Sequence, residues 1–244
     1  MLKEAPTYIL AADAVTAPLK YKWNNDIAME LQDGDENKRL VDAIDESSFR
    51  AKMALGAVLA EWCVWRFQAH ADIADGLRRI EAAWAGVIHP AYSKELEFEL
   101  LSEHGEQQVE GALALSLAML GDSFFKYSTG DVWLSGYIKR QAQMARYLAP
   151  DAAVFDEWLS NTLRRTAQIF PRGAKYDKKS RVYDASGEKP VPRVFFEPSF
   201  QYTEAAATAA LNAFLQGLDP QANPYLRTSQ EMSASGFAGT PYKI

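Results

Sequence analysis

The sequence predicts an all-α fold, and three observations carry that prediction. Apolar residues recur at intervals of three and four through most of the chain after Glu46. Serine, threonine or aspartate precedes these stretches, and proline or glycine follows them, as helix starts and stops require. Alternation with a period of two is confined to two short runs. The 244 residues, 48% of them hydrophobic, are read as a single domain, 1–244, with a sizeable core. It is a helical bundle or a stack of helical hairpins, with about seven helices and one extended basic insertion.

Residues 1–35 read as an irregular N-terminal segment, with Tyr8–Ile9–Leu10 as a short strand or apolar anchor and Asp33–Gly34–Asp35 as a turn. The first strong helix starts near Glu46. Ser47 or Ser48 can cap it, because a hydroxyl accepts a hydrogen bond from a free N–H of the first turn. Its wide stripe of Met53, Leu55, Val58, Leu59, Trp62 and Trp65 makes it the central helix. Asp72 caps the next, with Ile73, Leu77, Ile80, Trp84 and Val87 on one face and Pro90 ending it. Residues 94–110 carry six glutamates and alternate with apolar residues from Glu95 to Leu100, yet glutamate and leucine favour helix, so the stretch is ambiguous. A long helix follows over 106–127, buried almost all round between Ala112 and Leu120. Gly130 breaks the chain, and Asp131 caps a helix reaching Leu148. Pro150–Asp151 starts another, which buries Phe155, Trp158, Leu159, Leu163 and Ile169 and stops at Pro171. Residues 171–202 form the basic extended insertion, in which Val182–Tyr183 and Val194–Phe196 can pair as a small hairpin, held to an edge by Pro190, Pro192 and Pro198. A last helix spans Thr203 to Leu218, and 219–244 reads as an irregular tail.

Charge and cysteine content narrow the function. Net charge is −6 and the pI about 5.2. Such a surface repels phosphate backbones, so no nucleic-acid partner is expected; most acidic proteins are acidic simply for solubility. Cys63 is the single cysteine, so no internal disulfide forms, and its place between Trp62 and Val64 predicts a buried, inert thiol. Residues 1–17, with Lys3, Glu4 and Asp13, lack the apolar run of a signal peptide, and no window of about 18 apolar residues suggests a membrane span. A soluble protein of a reducing cytoplasm, with no membrane partner, is the expectation.

Motifs for metal, phosphate and hydrolytic chemistry are missing. There is no Glu-x-x-His pair, no Cys–His spacing for zinc, no phosphate-binding glycine loop and no Gly-x-Ser-x-Gly elbow. No cofactor and no metal are therefore assigned, and His70, His89 and His104 read as surface or capping residues. Glu61 lies in an apolar stripe. It is either a carboxylate of raised pKa or, more plainly, one partner of an ion pair with Arg66 or another helix. Trp62, Trp65, Trp84, Trp133 and Trp158 fall in predicted helices and read as core, whereas Trp23 stands outside any periodic pattern as an exposed anchor. Between Arg172 and Arg193, seven cations oppose three acids. This mixture of basic and aromatic residues can bind nucleic acid, but docking on the protein's own acidic face or on a protein partner fits the rest of the chain better.

The run Val109–Ala114, leading to Asp122–Ser123–Phe124–Phe125 and then from Leu148–Ala149–Pro150–Asp151 to Glu157–Trp158–Leu159, resembles uncharacterised helical proteins encoded in bacterial type VI secretion loci. The resemblance covers about residues 50–170. It implies an accessory or immunity role for a secreted effector, and no functional residue transfers because there is no defined motif to match.

The expected function is non-enzymatic: binding a basic toxin and occluding its active site. From Asp26 to Glu46, eight acidic residues face two basic ones, a cluster that would steer a cationic partner. Tyr21, Trp23, Asp33, Asp35 and Glu36 are the candidate partner-binding residues. The alternatives are an enzyme with a helical-bundle pocket and no sequence signature, or an adaptor of a secretion system.

Overall fold

The structure, a computed structural model, describes residues 2–100, 107–173 and 182–244. Among these there are ten α-helices and three isolated β-bridges, with no sheet. The helices are α1 (Thr7–Ala11), α2 (Asn25–Asp33), α3 (Lys38–Asp45), α4 (Phe49–Trp65), α5 (Ala74–Ile88), α6 (Gln108–Ser128), α7 (Leu134–Leu148), α8 (Ala152–Ile169), α9 (Glu204–Gln216) and α10 (Ser229–Ala234).

α4 is the axis of the molecule, and all 17 of its residues are buried. A helix that is apolar on every side must be surrounded, and α4 packs on α5, α6 and α7 and on a 3-10 turn at Arg193–Phe196. Gly56 lets α7 come close, since a Cβ there would lie 2.6 Å from Ile138 Cδ1. The first turn of α4 is capped twice. Ser48 Oγ accepts from the Ala51 N–H at 3.3 Å, and the Glu188 carboxylate accepts from the N–H groups of Phe49 (3.0 Å) and Arg50 (2.7 Å). Asp72 accepts from the Ala74 N–H at the start of α5, and Asp151 and Thr203 likewise accept from first-turn N–H groups of α8 and α9, whereas Asp131, expected to cap α7, accepts from the Trp133 N–H just before that helix.

The N-terminal 35 residues are not irregular throughout, because they hold α1 and α2, and Tyr8–Ile9–Leu10 lies in α1 rather than in a strand. Asn24 and Asn37 cap α2 and α3, accepting from Ile27 N–H (2.9 Å) and Leu40 N–H (3.1 Å). α2 lies on α6 and α7, and α3 on α7 and α8. The tail after Asp219 contains α10, closed by a Thr228/Glu231 capping box. Side-chain bonds fix the tail further: Asn223 Nδ2 donates to Glu81 Oε2 (2.9 Å), and Tyr242 Oη to the Arg227 carbonyl (2.5 Å).

The basic insertion does not form the expected hairpin. Residues 182–202 run as a strap over the helices, and their first pairing is with the α6–α7 turn: Tyr183 N–H donates to the Gly130 carbonyl (2.7 Å), and Val182 bridges Asp131. Gly130 has φ +68° and meets the Tyr183 carbonyl so closely that a Cβ would sit 2.6 Å from it. Val194–Phe196 lies in the 3-10 turn, closed by Phe195 N–H to the Pro192 carbonyl (2.9 Å), and Phe195 and Phe196 point into the core. Part of the basic run, including Lys175, Tyr176, Lys178, Lys179 and Arg181, lies outside the described residues, as does His104.

Of the five tryptophans expected in helices, four are buried, whereas Trp133 is 71% exposed. It is the residue before α7 rather than inside it, so no helical face turns it inward, and Leu134 makes the packing contact instead. Cys63 is buried, and burial pushes its thiol up to about 12.

Candidate functional site

Three regions concentrate polar chemistry: an acidic ridge on α2 and the α2–α3 corner, a buried ion pair beneath the strap, and a cleft along α8.

On α2, Asp26, Met29, Glu30 and Asp33 share one face by their spacing, while Ile27, Ala28 and Leu31 take the other. The four are exposed and Met29 is 56% so, whereas Ala28 and Leu31 pack against the core. Gly34, at φ +69°, turns the chain so that Asp35 and Glu36 continue the ridge. The Asp35 carbonyl, not its carboxylate, is tied down, accepting from Lys139 Nζ (2.6 Å) and Gln143 Nε2 (3.3 Å) of α7. Lys139 is nearly buried; burial and then Arg140 hold its ammonium below the usual lysine range, against the pull of Asp35 and Glu36. Asp26, Glu30, Asp33, Asp35 and Glu36 form no ion pair among the described residues, while further along the same stretch Asp42 pairs with Lys38 and Asp45 with Lys52.

Tyr21 and Trp23 lie at the other end of α2, about 12 Å away along its axis. Their rings meet edge to face at 6.3 Å. Both are half-buried and packed against the core. Tyr21 Oη donates to the Gln108 carbonyl (2.7 Å), and Gln108 Nε2 returns a bond to the Tyr21 carbonyl (2.6 Å). Tyr147 Oη holds the Lys22 carbonyl (2.5 Å). These two aromatics therefore fasten the N-terminal segment to α6 and α7, and the exposed apolar side chain among the acids is Met29. Its placement at i+3 from Asp26 is a signal present in the sequence but outweighed there by the greater size of Trp23.

Glu61 is fully buried, and its ion pair is not with Arg66 but with another element. Arg193 of the strap donates Nε to Oε1 (2.8 Å) and Nη2 to Oε2 (2.5 Å), and Trp84 Nε1 donates to Oε1 (2.7 Å). Burial disfavours the charge on Arg193, but Glu61 more than offsets it and raises the guanidinium's pKa. Arg66 instead donates to the backbone carbonyls of Ala14, Ala17, Pro18 and Leu148, drawing the segment after α1 onto α4. With both oxygens engaged and no exposure, Glu61 is a clamp for the strap and not a base open to a substrate.

The third region is a cleft of about 740 Å3 between α1, α8 and residues 196–202 of the strap. Its floor holds Tyr8, Trp62 and Trp158, with Tyr8 stacked on Trp158 at 5.0 Å and Trp62 tilted against it at 5.3 Å. The Tyr8 hydroxyl and both indole N–H groups are buried with no acceptor among the described residues. Burial, and then Glu61, raise the Tyr8 pKa well above that of a free phenol, so the hydroxyl keeps its proton and acts as a donor. Among the described residues, no group of three or more His, Cys, Asp or Glu side chains could hold a metal ion, and no helix is long and apolar enough to cross a membrane. Comparison with protein-family models, with curated proteins and with solved structures finds no match to the chain.

Proposed function

We propose that this chain is a non-enzymatic binding protein whose acidic ridge receives a basic protein partner, and that the partner is a toxin neutralised in the cytoplasm of the cell that makes it. The observation that carries the reading is the ridge itself: five exposed carboxylates between Asp26 and Glu36, unpaired among the described residues, around the exposed Met29. A solubilising surface needs only dispersed charge, whereas clustered carboxylates steer a cationic partner and speed its arrival. Rim charges add little affinity by themselves, so an apolar contact is needed at the centre, and Met29 supplies it. The resemblance to proteins of type VI secretion loci supports the immunity role, and steric occlusion of a basic active site is the mechanism that follows.

Co-expression with the product of a neighbouring candidate toxin gene tests this, read as protection of cells and as association rates of the purified pair. Reversing Asp33, Asp35 and Glu36 to lysine is expected to slow association by about tenfold or more and to flatten its salt dependence. Met29→Ala is expected to speed dissociation instead. If the wild-type protein neither binds nor protects, the toxin reading fails. If it protects and the reversals change nothing, the ridge is the wrong face.

A further inference from the structure

A second cavity lies where the strap crosses the start of α4, and it shares no residue with the ridge or with the α8 cleft. Residues 182–186 of the strap, the first turn of α4, the end of α6 and His89–Pro90 enclose about 500 Å3, within the range of small-ligand sites. Phe49, Pro90 and Tyr127 give it apolar walls. The Phe49 ring is stacked on Tyr127 at 5.4 Å and tilted against Tyr183 at 5.1 Å.

The inner end of the cavity is polar because of Arg50, which is only 7% exposed. Its Nε donates to the Ala185 carbonyl (3.1 Å), and its Nη1 to the carbonyls of Val87 (3.3 Å) and Ile88 (2.6 Å). All three acceptors are neutral, and Arg50 forms no ion pair among the described residues, so its charge stays uncompensated in a poorly solvated place. Glu188 is occupied elsewhere, accepting from the N–H groups of Phe49 and Arg50 and from Tyr183 Oη (2.7 Å). Nη2 of Arg50 has no partner among the described residues, and neither has Oη of Tyr127, a residue 5% exposed on the same cavity. Neither atom is sealed in the interior as the Tyr8 hydroxyl and the Trp62 and Trp158 indoles are, so a ligand in the cavity can reach both. Burial, and to a lesser degree Glu188, push the Tyr127 phenol up to about 12 against the pull of Arg50, so it keeps its proton and donates.

A charged donor beside a neutral one suits an oxyanion. Asp184 also lines the cavity, but at its exposed rim, where Oδ1 accepts from the Ser186 N–H (2.8 Å). Water screens a rim carboxylate far more than a buried guanidinium, so the inner end stays cationic. One guanidinium facing one rim acid favours a ligand with a single negative charge over one with two. We propose that this cavity binds a small monocarboxylic acid with a compact apolar body, its carboxylate held by Arg50 and Tyr127 and its body against Phe49 and Pro90. The carboxylate supplies the counter-charge that the fold leaves out.

The full-length protein is titrated with benzoate, phenylacetate and isovalerate, with the three corresponding amides and with inorganic phosphate, read by calorimetry and by the shift in melting temperature. At least one of the acids is expected to bind with a dissociation constant in the millimolar range or tighter, and its amide about tenfold more weakly or worse. Tyr127→Phe keeps the ring on Phe49 and removes the hydroxyl. It is expected to weaken the acid roughly fivefold and to leave the melting temperature of the free protein unchanged, since Oη has no partner in the fold to lose. Arg50→Met is expected to abolish binding, and Tyr127→Phe keeps the test decisive if that variant does not fold. The proposal is overturned if none of the acids binds at millimolar concentration, if an amide binds as tightly as its acid, if Tyr127→Phe binds as the wild type does, or if phosphate binds more tightly than all three acids.

Discussion

Asp45 sits where an acidic stretch meets the core. Its Oδ1 accepts from Lys52 Nζ (2.6 Å) and Ser135 Oγ (2.5 Å). Burial works to raise its pKa, but these bonds outweigh it and hold the carboxyl below its ordinary range. Lys52 moves down as well: burial disfavours its charge more than Asp45 restores it. The two shifts differ in meaning, because the fold favours the Asp45 anion and disfavours the Lys52 cation. Lys52 has the side chain at 8% exposure against 33% for Asp45, so desolvation falls mainly on the lysine. Of the two, only Asp45 titrates on the acid side. A carboxyl with a depressed folded pKa contributes stability above its unfolded pKa and loses it as pH falls through the folded value. Unfolding in urea should therefore show a free energy that declines between about pH 5 and pH 2. Asp45→Asn should lose about 1.5–3 kcal/mol at neutral pH and show a shallower acid decline. An unchanged acid limb in that variant would remove Asp45 from the account. At this scale the sequence showed that Glu61 needed a partner but not which one, since Arg193 lies 132 positions away and no periodicity links them.

Among the elements, legibility follows the caps and the apolar stripes. α4, α5, α7, α8 and α9 were readable because Ser48, Asp72, Asp131, Asp151 and Thr203 stand before stripes with helical spacing. α2 and α3 carry the same signals, Asn24 before Ile27 and Leu31, and Asn37 before Leu40, Val41 and Ile44, but eight acids in the same stretch drew the reading toward a solvated face. The strap was not readable, because tertiary contacts hold it: Glu188 on the N-terminus of α4, and Arg193 on Glu61. The two contacts are unequal. Glu188→Ala should cost about 1–2 kcal/mol, as loss of a helix cap does. Arg193→Met leaves a buried carboxylate with only the Trp84 N–H, and should cost about 3–5 kcal/mol. Adding Glu61→Gln to Arg193→Met should recover part of that loss, since the charge is then gone. Denaturant titration of the three variants measures this order, and equal costs for Glu188→Ala and Arg193→Met would mean that the ion pair does not secure the strap.

For the molecule as a whole, the distribution of charge decides which partners are admitted. The run 172–193 carries +4 and the rest of the chain −10. Two of its cations are already neutralised by the fold, Arg193 by Glu61 and Lys189 by Glu204 at the start of α9. Self-docking of the basic run is thus seen at these two residues, on Glu61 and Glu204, and at Arg172, whose N–H donates to the Glu46 carbonyl (2.8 Å) and whose charge acts on Asp45 within the acidic stretch Asp26–Glu46. Affinity for a nucleic acid scales with the number of phosphates neutralised, and each cation spent internally lowers that number. The ridge carboxylates and the net charge add repulsion that salt only partly screens at a Debye length of about 8 Å. The protein should therefore give no gel shift with single- or double-stranded DNA or with RNA at micromolar concentration in about 0.15 M salt. Glu204→Ala frees Lys189, yet it should produce no shift either, because one released cation does not overcome the repulsion of the body. Sub-micromolar binding that weakens steeply with added salt would show instead that the basic run engages phosphate independently of the acidic body, against the expectation drawn from the net charge.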